Sequence, residues 1–171
     1  MKPNNTGFTL AEIVVYIAIL AALSVFVVQA ILAMAATLAE AKTVRRLTLD
    51  GETALERITR EVRLASAVDD AASTLGAHPS RLSLDTVRSS TDPTFSDKDF
   101  YVLQGRIAFA EDGGAADYLT SPTSSTTQFI VTKITTPRSQ AVRIQLALQA
   151  GSGSKLVSRS FFNTIVLRGG Y

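Results

Sequence analysis

Residues 7–36 read GFTLAEIVVYIAILAALSVFVVQAILAMAA, and residues 13–36 within them decide the fold. These residues are almost entirely aliphatic or alanine, with Tyr16, Ser24 and Gln29 as polar interruptions. As an α-helix the segment would be about 36 Å long, which is enough to cross a hydrocarbon core of ~30 Å. A domain of this size cannot surround a helix that is apolar on every face, so a buried core helix is disfavoured. The sequence therefore predicts a membrane-spanning helix.

The composition excludes several kinds of site. The 171 residues include no cysteine, so disulfides, thiolate chemistry and cysteine-based metal sites are excluded. The net charge of +2 gives no bulk signal for nucleic-acid binding. After Asp117 there is no acidic residue, and the basic residues there are Lys133, Arg138, Arg143, Lys155, Arg159 and Arg168. Such a basic third could bind DNA or an acidic partner, but without interleaved aromatic residues a solvated sheet face is the favoured interpretation.

Two interpretations of the apolar segment compete. In the first it is a conventional secretory signal peptide, with Lys2 as the basic region and Ala-Met-Ala at 33–35 as the cleavage site. Its apolar core would then be far longer than the ~7–15 residues that are usual for signal peptides. The second interpretation depends on the residues that precede the segment.

Those residues are Met1-Lys2-Pro3-Asn4-Asn5-Thr6-Gly7 followed by Phe8-Thr9-Leu10-Ala11-Glu12. They resemble the leader and cleavage motif of prepilins, the precursors of type IV pilins and type II secretion pseudopilins. The resemblance implies that a membrane peptidase cleaves between Gly7 and Phe8 and that the new amine of Phe8 is N-methylated. It also implies that Glu12, the fifth residue of the mature chain, acts in filament assembly. Because the motif stands directly before a membrane-length helix, it favours a prepilin over a secreted protein.

Two of these residues, Gly7 and Glu12, have a physical reason to be there. Gly7 carries no Cβ, so the backbone can enter a narrow protease cleft. Glu12 lies about one turn into the helix. An unpaired carboxylate costs roughly 2.5–3.5 kcal/mol near the bilayer centre and less near the interface, where it can snorkel. In a filament the nearest candidate partner is the Phe8 ammonium of a neighbouring subunit, and the pair would act mainly as a registry device. The alternative is an interfacial charge that stabilises the helix N-terminus through its dipole, typically by ~0.3–1 kcal/mol.

The charges that flank the segment leave its orientation ambiguous. Lys2 favours a cytoplasmic N-terminus, but Lys42, Arg45 and Arg46 follow the other end. Because a prepilin leader must face the cytoplasm to be processed, the resemblance implies a single-pass inner-membrane protein. Its C-terminal head would be extracytoplasmic, and the chain would later enter a filament. The implied partners are other pilin-like subunits, the prepilin peptidase and the inner-membrane assembly platform, and no cofactor is implied.

After Thr37 the sequence becomes amphipathic and predicts a helix that continues to about Val68. The predicted apolar stripe consists of Val44, Leu47, Gly51, Leu55, Ile58, Val62 and Ala65. Charged residues, Glu61 among them, are assigned to the polar sides. Gly51 indicates either close packing or a bend, because residues 53–56 have the pattern of a capping box at which the helix could restart. Residues 54–65 also resemble the corresponding helix of minor, J-type pseudopilins.

Beyond Asp69 the sequence is typical of strands, and residues 142–149 alternate like a half-buried antiparallel strand. The predicted strands are 81–87, 100–104, 106–110, 127–134, 141–150 and 157–167. We therefore expect a pilin-like α+β fold, in which a long N-terminal helix packs on an antiparallel β-sheet head. The predicted divisions are a leader at 1–7, a transmembrane helix half at 8–36, an amphipathic helix half at 37–70 and a β-rich head at 71–171.

No catalytic or metal site is predicted. His78, the single histidine, lies in a polar loop without a nucleophile motif. Glu111, Asp112 and Asp117 could gather oxygen ligands for Ca²⁺, but a hairpin turn is favoured. The chain is therefore predicted to be a structural subunit, a minor pilin or pseudopilin, and not an enzyme. The alternatives are a DNA-uptake or adhesive module on such a filament, and a secreted protein behind a conventional signal peptide.

Overall fold

The computed structural model describes residues 9–87, 94–136, 139–151 and 153–168. The predicted cleavage site, Gly7 and Phe8, lies outside the described residues. The chain divides into two compact units, Met1–Ala41 and Lys42–Tyr171. A long helix, α1 (Leu10–Leu64), contributes residues to both units.

In the first unit α1 carries the apolar segment. The helix begins after Thr9, whose carbonyl oxygen accepts a hydrogen bond from the Glu12 N–H at 3.1 Å. The large apolar side chains of the segment are exposed, with Leu20 at 65% and Phe26 at 71%. An 18-residue window of this helix has a mean hydropathy of 2.6, and none of it is buried. By length and composition, α1 is thus able to cross a membrane.

In the second unit α1 buries one face. Its buried residues are Leu47, Gly51, Ala54, Ile58, Glu61 and Val62. Most of the predicted stripe is confirmed, although Ala54 is buried where Leu55 is predicted, and Leu55 packs at the margin of the core. The helix runs without interruption through residues 53–56. Close packing therefore explains Gly51: the ring of Phe161 lies so near that a Cβ at this position would overlap it.

The helix ends at Leu64, about one turn before the predicted end near Val68. The Ala65 N–H still makes a helical hydrogen bond, but the Ser66 N–H donates to the Asp85 carbonyl oxygen at 2.8 Å. Backbone pairing with a strand thus replaces helical bonding. Ala65 and Val68 nevertheless stay buried, so the row of buried apolar side chains continues past the end of the helix.

The first sheet has five antiparallel strands in the order β1-β2-β3-β4-β5. Their bounds are β1 Ala67–Val68, β2 Leu82–Val87, β3 Phe95–Leu103, β4 Arg106–Glu111 and β5 Asp117–Tyr118. In β3, Phe100 pairs with Leu82 on one side and Phe109 on the other. The two phenylalanine rings are 5.1 Å apart. The sequence does not predict β1 and β5, because two residues are too few to show an alternation.

The second sheet has three antiparallel strands in the order β6-β7-β8. Their bounds are β6 Ser125–Thr136, β7 Ser139–Ala150 and β8 Val157–Val166. The alternation predicted for β7 is largely confirmed, since Val142, Ile144, Leu146 and Leu148 are all buried while Arg143 is exposed. Ala147 departs from it, because it is buried as well.

An apolar core forms within the second unit from α1 and both sheets. It includes the fully buried side chains of Ile58 in α1, Phe100 in β3, Phe129 in β6 and Leu148 in β7. Burying a side chain of this size stabilises the fold by roughly 1.5–3 kcal/mol. The α+β class, with one long N-terminal helix and antiparallel sheets, is confirmed.

Candidate functional site

The candidate site is the beginning of α1, where the predicted motif meets the apolar segment. The Glu12 N–H lies 3.3 Å from Thr9 Oγ1, so Thr9 caps the helix and Glu12 stands in its first turn. A carboxylate in the first turn is favoured by the helix dipole. The sequence does contain the signal for this cap, a threonine followed three residues later by a glutamate. Gly7 and Phe8 lie outside the described residues, so the cleavage site stays a prediction.

The Glu12 side chain has a partner that the motif does not predict. Tyr16 Oη donates a hydrogen bond to Glu12 Oε1 at 3.2 Å. The two residues are four apart on one helix, so their side chains lie next to each other on the same face. In the sequence Tyr16 stands out as a polar interruption of the apolar segment. Its spacing from Glu12 is the signal that identifies the pair.

The surface around this pair is apolar. Leu10, Ile13 and Ile17 are 82%, 49% and 60% exposed. Glu12 is the one acidic residue before Glu40. A lone carboxylate in such surroundings attracts a cation or a strong hydrogen-bond donor, because charge-assisted hydrogen bonds strengthen as the local dielectric falls.

A second charged cluster lies inside the other unit, and it overturns the assignment of Glu61 to the polar side of α1. Glu61 is only 3% exposed. Its Oε2 accepts a hydrogen bond from Lys98 Nζ in β3 at 2.7 Å. Arg57 Nε lies 3.1 Å from Glu61 Oε1 as an ion pair without hydrogen-bond alignment, and its guanidinium stands 4.7 Å from the centre of the Phe109 ring. A buried ion pair thus links α1 to β3, and removing Glu61 would leave the largely buried Lys98 ammonium without this partner.

Asp50 makes a similar link from α1 to the loop before β6. Its Oδ2 accepts hydrogen bonds from Ser121 N at 3.1 Å, Ser121 Oγ at 2.7 Å and Ser124 Oγ at 2.7 Å. Arg46 donates to Thr123 Oγ1 at 3.2 Å. The local sequence of this loop does not predict its partner, since 71 residues separate Asp50 from Ser121.

His78 lies against the outer edge of β6. The Phe129 N–H donates to His78 Nδ1 at 2.9 Å, and the Val131 N–H donates to Ser80 Oγ at 3.0 Å. In return, the N–H groups of Ser80 and Gly76 donate to the carbonyl oxygens of Phe129 and Val131 at 2.9 and 2.8 Å. The loop thus completes the hydrogen bonding of this strand edge, and the histidine has a structural role there.

The segment after β4, considered above as a calcium loop, forms the favoured hairpin turn. The Gly114 N–H donates to the Glu111 carbonyl oxygen at 2.9 Å, and Asp112 adopts a positive φ of 51°. Glu111 Oε1 accepts a hydrogen bond from Ser96 Oγ, and Asp112 Oδ1 accepts one from the Asp97 N–H, both at 2.9 Å. Within the described ranges, no group of three His, Cys, Asp or Glu side chains could hold a metal ion.

In the basic C-terminal third, a lysine forms an ion pair and other basic side chains are exposed. Lys133 Nζ is bonded to Asp70 at 2.7 Å, whereas Arg143 and Arg159 are exposed on β7 and β8. Arg138 lies outside the described residues. Exposed arginines are also what the solvated face of an antiparallel sheet displays, so DNA binding stays an alternative prediction.

Asp85 stands in a group of carboxylates on the first sheet. Burial raises the pKa of Asp85, and the nearby charges of Asp69 and Asp97 raise it further. Its ionised form is therefore disfavoured in the folded state, and the resulting loss of stability grows as the pH rises through the raised pKa. At low pH, where the carboxyl is protonated in both the folded and unfolded states, this loss vanishes.

Asp85→Asn is therefore expected to raise the midpoint of thermal unfolding at about pH 7 and to have little effect at about pH 3. The midpoint would be measured by circular dichroism for the whole chain in detergent. Asp117→Asn, which removes an exposed carboxylate from β5, serves as the control and should change little. A lower midpoint for Asp85→Asn at neutral pH would show that the carboxylate stabilises the fold instead.

Comparison of the chain with models of known protein families, with curated proteins and with solved structures gave no match. The candidate site is therefore defined by the residues of this chain alone. Its parts are a membrane-length helix, a carboxylate in the first turn bonded to Tyr16, and the motif that precedes them. Of these, the Glu12 carboxylate can accept a charge-assisted hydrogen bond in addition to the one from Tyr16.

Proposed function

We propose that this chain is a structural subunit, a minor pilin or pseudopilin, of a type IV filament or a type II secretion pseudopilus. The observation that carries the proposal is the position of Glu12. It places a carboxylate in the first turn of an exposed helix that is apolar enough to cross a membrane, directly after the Gly7-Phe8 motif. A charge in that setting costs free energy, so a partner is expected. The antiparallel sheets that follow the helix are compatible with a pilin-like head of the J type.

In the proposed maturation step, prepilin peptidase cleaves after Gly7 on the cytoplasmic side of the inner membrane. Cleavage removes the leader with Lys2 and leaves an ammonium group on Phe8. N-methylation keeps this group positively charged. The mature chain then carries a cation and the Glu12 carboxylate within about one turn of each other, at the same end of the helix.

In the proposed assembly step, the platform moves the helix from the membrane into the filament. Side chains that are exposed in the free chain, such as Leu20 and Phe26, then pack against helices of other pilin-like subunits. Glu12 accepts the Phe8 ammonium of a neighbour as water leaves. Because this pair forms at one axial offset between helices, it sets the register and adds little net stability of its own.

Gly7→Leu is expected to block maturation, because a bulky side chain would clash in a cleft that accepts a glycine backbone. The chain would be co-expressed with a prepilin peptidase, recovered from membranes and analysed by mass spectrometry. The unmodified chain should begin at Phe8 and carry an added methyl group, whereas the variant should keep Met1.

Asn5→Leu adds the same side chain elsewhere in the leader and should be processed normally. Full processing of Gly7→Leu would exclude the proposed cleavage site. A chain that begins at Ala36 would instead identify a conventional signal peptide and a secreted protein.

A further inference from the structure

We infer that Tyr16 is a positioning residue for Glu12: its hydroxyl holds the carboxylate while the subunit is alone in the membrane and presents it to the arriving ammonium of a neighbour. The inference rests on the proposed function, and it adds a residue that the prepilin motif does not contain. Its basis is the 3.2 Å hydrogen bond from Tyr16 Oη to Glu12 Oε1.

Tyr16 differs from the other hydroxyl residues of the apolar segment and its C-terminal boundary. Ser24 Oγ donates to the Leu20 carbonyl oxygen at 2.8 Å, and Thr37 Oγ1 donates to the Ala33 carbonyl oxygen at 3.0 Å. Those two hydroxyls are satisfied by the backbone of the preceding turn, which is the usual solution for serine and threonine in apolar helices. The Tyr16 hydroxyl reaches across one turn to a carboxylate instead.

Tyr16 belongs to the same helix as Glu12, so it can bond the carboxylate before any neighbouring subunit is present. A hydrogen bond to an ionised acceptor is stronger than one between neutral groups, and it strengthens further where water is scarce. An ionised carboxylate has about four acceptor sites on its two oxygens. The bond at Oε1 therefore leaves acceptor capacity for an ammonium group, and Tyr16 need not leave when the neighbour arrives.

A rival explanation treats Tyr16 as an interfacial aromatic residue, whose ring lies at the level of the lipid headgroups. That explanation depends on the ring, whereas the inference depends on the hydroxyl. Tyr16→Phe separates the two, because it keeps the ring and removes the hydroxyl. Ser24→Ala is the matched control, since it removes a hydroxyl from the same segment without touching a carboxylate.

The first experiment observes the hydrogen bond directly. The full chain, labelled with ¹³C at the glutamate carboxyls, is placed in phospholipid vesicles, and the Glu12 bands are assigned by infrared difference against Glu12→Ala. Tyr16→Phe is expected to shift these bands, and Ser24→Ala is expected to leave them in place. Unchanged Glu12 bands in Tyr16→Phe would overturn the inference.

The second experiment measures the fraction of processed subunit that enters filaments in a double-mutant cycle. Tyr16→Phe should lower that fraction by roughly three- to tenfold, the size expected for one lost hydrogen bond. It should have no further effect in the Glu12→Ala background, because its partner is already gone. Ser24→Ala should assemble normally.

The failures of the two ideas are distinguishable in this cycle. If Glu12→Ala assembles normally, the proposed filament role of Glu12 is wrong, and Tyr16 has nothing to position. If Glu12→Ala is defective but Tyr16→Phe assembles normally, the inference alone is wrong. An equal loss from Tyr16→Phe with and without Glu12 would also overturn it, because the ring environment and not the carboxylate would then be responsible.

Discussion

Glu12→Ala is expected to leave cleavage after Gly7 and membrane insertion unchanged, and to lower the content of the subunit in filaments by about two orders of magnitude or more. Removing the carboxylate makes the helix more apolar, so insertion becomes no harder. In the filament, however, the Phe8 ammonium of a neighbour loses its partner. Breaking one side of a buried pair typically costs about 3–5 kcal/mol, which is enough for an effect of this size.

The measurement compares the subunit in sheared filaments with the processed pool that remains in membranes. Glu40→Ala is the control, because it removes an exposed carboxylate farther along the same helix and should assemble normally. If Glu12→Ala also assembles normally, Glu12 is no more than a charge at a helix end. If cleavage fails instead, the role of Glu12 lies in processing.

Gly51→Leu is expected to destabilise the second unit by about 1–3 kcal/mol, the usual cost of overpacking a core. Helix propensity alone predicts the opposite sign, because leucine is a much better helix former than glycine. Packing decides the outcome here, since the Phe161 ring occupies the place that a Cβ at Gly51 would need. The midpoint of thermal unfolding of the whole chain in detergent, followed by the near-ultraviolet signal of its tyrosines, should therefore fall.

Two further variants test whether the effect is specific to the contact between Gly51 and Phe161. Glu52→Leu introduces the same side chain at the exposed neighbouring position and should change the midpoint little. Phe161→Ala combined with Gly51→Leu should recover part of the loss, because the obstructing ring is gone. A higher midpoint for Gly51→Leu alone would mean that the ring moves aside and that helix propensity outweighs packing.

In the second unit, the helix and the strands whose apolar residues recur at a regular spacing are largely predictable from sequence. A strand with one face on a core must alternate, and Val142, Ile144, Leu146 and Leu148 do so and are buried. The ends of strands are less predictable, because they depend on how far the neighbouring strand extends and pairs with them. β3 begins at Phe95, well before the predicted residue 100, since Phe95 pairs with Val87 at the far end of β2.

Contacts between distant parts of the chain cannot be predicted from a local sequence pattern. Glu61 has the sequence pattern of a solvent-facing charge, whereas it is buried and accepts a hydrogen bond from Lys98, 37 residues away in the sequence. At the candidate site the situation differs, because Glu12 and Tyr16 are close in sequence. The resemblance to the prepilin motif identifies Glu12, whereas the four-residue spacing of Tyr16 only makes a contact possible, and the side-chain geometry shows the hydrogen bond.

The outer edge of β6 is closed to strand invasion at its centre. Phe129 and Val131 use both their N–H and their C=O groups on His78, Ser80 and Gly76. An extended peptide approaching these two residues would find no backbone group left to pair with. Natural sheets protect themselves in this way against amyloid-like growth. When this head lies next to other subunits, as the proposed function requires, the centre of this edge therefore offers no free backbone group for cross-β pairing with a neighbouring head.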